Sequence, residues 1–119
     1  MFIEMPATGR LFIDGKDVGQ VKLKSLADSW GFGEFSPNAA FAEFAVLFGN
    51  WSILMHADDS EQKLSDAASD ELRKAEQAID ALHVKLFVEH DKEWLDIGQL
   101  NIDGNLVEWK TMGRKASPP

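Results

Sequence analysis

Cysteine and tyrosine are absent from this 119-residue chain, proline occurs four times, and basic residues are few, 12 Lys and Arg against 20 Asp and Glu. Each shortage removes a class of protein. Without cysteine there is no disulfide framework, no thiolate nucleophile and no thiolate-ligated zinc or iron–sulfur centre, which leads us to expect a cytoplasmic protein. The formal net charge of -8 is spread evenly: residues 1–60 hold 4 basic and 8 acidic side chains, residues 61–119 hold 8 and 12. No basic arm is hidden in the total, so nucleic acid, whose capture rests on clustered Lys and Arg, is not an expected partner. Long apolar runs are missing as well. Glu43, Asn50 and Ser52 interrupt the most hydrophobic stretch, and no basic start precedes an apolar segment. Neither a membrane span nor a signal peptide is therefore expected.

What is present suffices for one core. Hydrophobic residues make up 45% of the chain, eight Phe and four Trp among them, which predicts a single domain over residues 1–119 with residues 1–7 and 113–119 frayed. An internal echo stands out. Leu11, Ile13, Asp14, Gly15 and Val18 recur in identical spacing as Leu100, Ile102, Asp103, Gly104 and Val107. Both copies read as β-hairpins, because Asp-Gly and Gly-Asn pairs supply the positive φ of a tight turn. In the second copy a two-residue Gly104-Asn105 turn pairs Ile102 with Val107 and Leu100 with Trp109, all on one face. In the first, parity favours a three-residue turn from Gly15 to Asp17, with Leu11 opposite Val21 and Lys22 and Lys24 in solvent. Two independent hairpins with common turn chemistry explain the echo better than a duplicated unit.

Trp30-Gly31-Phe32-Gly33-Glu34-Phe35 alternates large and minimal side chains and predicts a strand with one aromatic and one bare face. Ser36-Pro37 then reads as a helix start. Phe41, Phe44, Phe48, Trp51 and Met55 share one helical face, so a helix from about Asn38 to His56 is expected. Gly49 costs it roughly 1 kcal/mol, and Gly49-Asn50 as a hairpin turn is the alternative. After a polar loop, residues 57–64, a second helix runs from Ser65 or Ser69 to Leu82 on the stripe Ala68, Leu72, Ala75, Ile79 and Leu82, with Asp70 and Lys74 paired across a turn. Val84, Leu86 and Val88 alternate as a strand ending at His90-Asp91-Lys92-Glu93. In the return strand Leu95 and Ile97 hold one phase and Leu100 and Ile102 the other, which predicts a β-bulge at Gly98. Three strands, two helices and three strands make an α+β domain: an antiparallel sheet of about six strands covered on one face by both helices. A small curved half-barrel around the helices is the variant.

The chemistry is sparse. His56 stands near Asp58 and Asp59, and His90 near Asp91 and Glu93, an oxygen and nitrogen donor set for a metal if the loops met. Neither matches a metal-binding spacing, and solvated loop carboxylates beside surface histidines are the plainer reading. His83 reads as a helix-to-strand junction. No serine sits on a nucleophile elbow, and Gly31-Phe32-Gly33 lacks the βαβ unit of a dinucleotide site. Paired carboxylates would have to be Asp28 and Glu34, which flank Trp30 and Phe32. These strand residues are the candidate binding site, together with Trp51. Two readings compete for them: an aromatic strand beside an aromatic helix as core, or a groove or oligomer contact.

The run Leu11 to Gly19, the segment Trp30 to Pro37 with Phe41 and Leu47-Phe48 after it, and the closing Leu100-Asn101-Ile102-Asp103-Gly104 resemble small bacterial proteins of unknown function. The shared motifs are turns, a strand and a helix start, and the resemblance implies no activity, cofactor or catalytic residue. The expectation is thus a non-catalytic, cofactor-free, acidic interaction module that meets a protein partner or itself as a homodimer. A small metal-assisted hydrolase or small-molecule-binding domain is the alternative.

Overall fold

The computed structural model describes residues 7–26, 30–58, 65–89 and 92–115. Six strands follow the expected order: β1 (Ala7–Ile13), β2 (Lys16–Leu26) and β3 (Trp30–Pro37), then α1 (Ala42–Asp58) and α2 (Asp66–Asp80), then β4 (Val84–Val88), β5 (Glu93–Asp103) and β6 (Leu106–Lys115). The α+β class and the antiparallel six-strand sheet hold, but the sheet is not open. It closes into a barrel in the order β1-β2-β3-β6-β5-β4, sealed where Gly9 to Ile13 of β1 pair with Val88 to Val84 of β4. Closure overturns the helix-covered sheet and the half-barrel around the helices alike. The inward phase of each strand meets the other five, so the strands fill their own interior and the helices cover no face of the sheet.

Leu11, Ile13, Val18, Val21, Leu23, Leu86, Val88, Val107 and Trp109 are fully sealed inside. The helices instead close one end. Ile13, Lys16, Pro37, Val84, Asp103 and Leu106 all lie at that end, by the registers of the six pairings, and the chain leaves from Pro37 and returns at Val84. Phe44, Phe48 and Trp51 of α1 drop into the barrel core. Phe35 packs edge-on against Phe41 at 5.1 Å, and Phe41 stacks on Phe48 at 5.9 Å, an aromatic line from β3 into α1. α2 packs on α1 and β5, with Ala75 and Ile79 buried.

Local chemistry explains the boundaries. Ser36-Pro37 does not start the helix: Pro37 ends β3, and Asn38 caps a 3-10 turn, Ala39–Phe41, its Oδ1 accepting from Ala40 N at 2.9 Å. The asparagine side chain also donates to Asp17 O at 2.9 Å, so it joins β2 to the turn. The helix reading prevails at Gly49, and α1 runs unbroken through it to Asp58. Ser65 caps α2 through Ala68 N at 3.1 Å. Lys74 pairs with Asp70 at 3.3 Å, and this hydrogen bond, with Arg73 beside it, holds the Asp70 carboxyl below the ordinary carboxylate range. Strand β1 begins at Ala7 and β6 continues through Gly113 to Lys115. The rest of both tails lies outside the described residues.

The hairpins differ as parity foretold, by another device. Gly104 alone takes positive φ in the second turn, and Ile102 pairs with Val107. In the first turn Asp14 and Gly15 both take positive φ, 50° and 83°, the type I′ pattern. That turn has two residues, not three, with Ile13 opposite Lys16. Parity is restored by a bulge at Val18, which sets Leu11 opposite Gly19 and Gly9 opposite Val21. Lys22 and Lys24 are in solvent as expected. The bulge in β5 exists too, one residue on from Gly98: Gln99 and Leu100 face Trp109 between the Gly98–Lys110 and Asn101–Glu108 pairs, and Gln99 carries the positive φ, 46°. Leu95, Ile97, Leu100 and Ile102 are consequently all buried. The echo is not a symmetry of the fold. Around the barrel β2 lies on the side of β1 opposite to that on which β6 lies of β5, so no rotation about the axis superposes both hairpins.

Candidate interaction surface

Strand β3 has two unlike faces, and the larger side chains are on the outer one. Gly31, Gly33 and Phe35 point inward, whereas Trp30 and Phe32 stay 45% exposed. The core reading of these two aromatics is thereby corrected. The reason is volume. A methyl group built on Gly31 would lie 2.5 Å from the Trp109 ring, and one on Gly33 2.4 Å from Lys22 O. Trp109 fills the lumen beside Gly31 and the β2 backbone crowds Gly33, so neither glycine has room on its inner side for a helix or a ligand.

Outside, Trp30 stands across from Lys110, Phe32 from Glu108 and Glu34 from Leu106. Leu106 is 43% exposed on the same outer wall. Ser25, Trp30, Gly31, Phe32, Leu106 and Glu108 line an open depression of about 520 Å³. Glu34 is exposed at its edge and pairs with Lys24 at 3.5 Å. Two candidate residues do not contribute. Trp51 is 8% exposed and belongs to the core, and Asp28 lies outside the described residues. Leu106 escaped the sequence reading, although inward Val107 and Trp109 already require it to face out.

A second aromatic cluster offers a contrast. Phe12, Phe87 and Trp94, on the outer wall of β1, β4 and β5, are half-buried against one another, with centroids 4.8 Å apart for Phe12–Trp94 and 4.9 Å for Phe87–Trp94. They satisfy each other. Trp30 and Phe32 have no such ring partner among the described residues.

The polar groups are structural staples. Asp17 accepts a two-pronged bond from Arg10 at 2.9 and 3.1 Å and another from Gly19 N at 3.1 Å, fixing the bulged end of β2. Asp14 and His83 exchange two hydrogen bonds: His83 N donates to the Asp14 side chain at Oδ1, 2.9 Å, and Asp14 N to His83 O at 2.8 Å. His83 is thus the expected junction, through its main chain. His56 meets Asp103 at 2.7 Å, and Ser52 Oγ donates to the other Asp103 oxygen at 2.6 Å. Those two bonds, the serine first, hold the Asp103 carboxyl below the usual range. Serine, aspartate and histidine are present, but the aspartate stands in the middle. A nucleophile needs the imidazole between hydroxyl and carboxylate to take its proton, so the trio ties α1 to the β5–β6 turn and activates nothing.

Among the described residues no three of His, Asp and Glu gather closely enough to hold a metal ion. The Asp58 side chain, Asp59, His90 and Asp91 lie outside the described set. No helix among the described residues is long and apolar enough to cross a membrane. Neither a family model, nor a curated protein, nor a solved structure matches the chain.

Proposed function

We propose that this protein is a non-catalytic interaction module that meets a protein partner through the outer wall of β3 and β6. The observation that carries the reading is the exposure of Trp30, Phe32 and Leu106 side by side on a closed barrel. Exposed apolar residues scattered singly are ordinary, but a contiguous aromatic patch rimmed by polar groups marks an interface, and Trp is enriched among the residues that dominate binding. The backbone beneath the patch is paired on both sides by β2 and β6, so little ordering cost is left for binding. The overall charge of -8 favours a basic partner and an association rate that falls with salt.

The test compares wild-type protein with a Trp30→Ala/Phe32→Ala double variant as baits in the native cell extract, with binding of each captured protein then measured in purified form. Direct binding by the wild type and its loss in the variant are expected. Equal binding by both would assign the interaction elsewhere and refute the reading.

A further inference from the structure

α1 is apolar on both sides, and only one side is used among the described residues. Phe44, Phe48 and Trp51 are buried, while Val46 and Ile53 on the opposite side are 70% and 69% exposed. Ala42, Val46, Gly49 and Ile53, all exposed, follow one another at four-, three- and four-residue steps, the seam spacing of two helices packed side by side. Gly49 supplies an independent observation. It is the poorest ordinary residue for a helix interior, and a methyl group built on it would meet nothing within 4 Å. No contact within the described chain asks for glycine there. A second backbone lying close against that turn would.

We infer that this face of α1 packs antiparallel against the same face of a second copy, about a twofold axis between Val46 and Gly49. In that register Val46 lies over Gly49 of the second copy and Ala42 over Ile53, so a large side chain meets a small one at each layer. A parallel register would set Val46 on Val46 and Ile53 on Ile53. The seam itself adds no charge against that occupant. Each copy carries -8 overall, and like-charged molecules repel, so they can meet only where charge is least. Residues 44–55 contain no charged side chain. Beside the seam, Glu71 and Lys74 of α2 line a groove of about 450 Å³ with Leu47, Ile53 and Leu54, one charge of each sign for a copy approaching by a twofold. The inference uses neither Trp30 nor Phe32 and stands apart from the reading of the outer wall.

Sedimentation equilibrium from low micromolar to millimolar protein tests it. Wild type should dimerise, and Val46→Glu, at an exposed position that leaves the monomer folded, should weaken the dimer about tenfold or more by forcing a charge into the seam. The absence of native cysteine allows a register test. Val46→Cys mixed with Gly49→Cys should form the mixed disulfide faster than either variant forms its own, and a Trp30→Ala/Phe32→Ala variant should dimerise as wild type does. A monomer at every concentration overturns the inference, whichever segment then covers the face. So does a dimer indifferent to Val46→Glu, a preference for like-with-like disulfides, or a dimer lost with Trp30 and Phe32.

Discussion

α1 and α2 are neighbours of similar length that follow opposite rules. α2 buries Ala75 and Ile79 and fills its other side with Asp70, Glu71, Arg73, Lys74 and Glu76, so water is an adequate partner for what it leaves outside. α1 leaves Val46 and Ile53 outside. The same difference separates two adjacent strands, since β2 turns Gln20, Lys22 and Lys24 outward and β3 turns out Trp30 and Phe32. Burial inside one chain accounts fully for α2 and β2 and for only half of α1 and β3. The unexplained halves are where a second molecule would be read.

Substitutions on the two sides of α1 and β3 should therefore separate stability from association. The largest effect is expected inside: Trp51→Ala should cost ~3–5 kcal/mol in urea unfolding, and a loss under about 0.5 kcal/mol would place Trp51 on the surface instead. Gly31→Ala should cost ~1–3 kcal/mol by driving its methyl into Trp109, and a neutral result would show that the lumen has room beside β3. On the outer side of α1, Gly49→Ala should raise the stability of dilute protein by roughly 0.5–1 kcal/mol, because no described atom occupies that space. The outer side of β3 should respond least: Trp30→Ala and Phe32→Ala should each stay within about 0.5 kcal/mol in unfolding.

A pH series sharpens the comparison at the staple between α1 and β5. The folded-state carboxyl of Asp103 titrates below its unfolded value because Ser52 and His56 bond its charged form. Its stabilising effect is therefore complete above the ordinary carboxylate value of about 3.9 and is lost as pH falls through the lower folded value. Ser52→Ala should lower the urea midpoint at neutral pH and flatten its acid limb, the variant and wild type converging as pH falls through the folded value. An unaltered acid limb would show that the serine bond does not act on the carboxyl.

Local pattern made much of this fold readable. The strands, the parity fault in β5 and the capped start of α2 each depend on neighbours a few residues away, and Leu95, Ile97, Leu100 and Ile102 disclose their bulge by phase alone. Closure depends on pairings between Gly9 and Val88 and between Trp30 and Lys110, which no periodicity encodes. Alternation in Trp30-Gly31-Phe32-Gly33 showed two faces without saying which was inner. Size suggested the aromatic one, but Trp109, nearly eighty residues on, already filled the interior. Leu106, Val46 and Ile53 were missed for a related reason: each is an ordinary core residue by type, and only the phase of a neighbouring buried set reveals that it faces out.

Closure of the ring also decides how another molecule can take hold. An open sheet ends in a strand whose free N–H and C=O groups can accept any extended peptide, with main-chain bonds that scarcely depend on sequence. Here β1 and β4, the strands that would have been the borders, are paired with each other. Strand addition, and the edge-to-edge stacking that starts many aggregates, are denied a template. A visitor must bind side chains, so whatever this protein recognises, it recognises by shape and chemistry at a few positions, and a single substitution at Trp30 or Val46 can erase a partner while leaving the barrel whole.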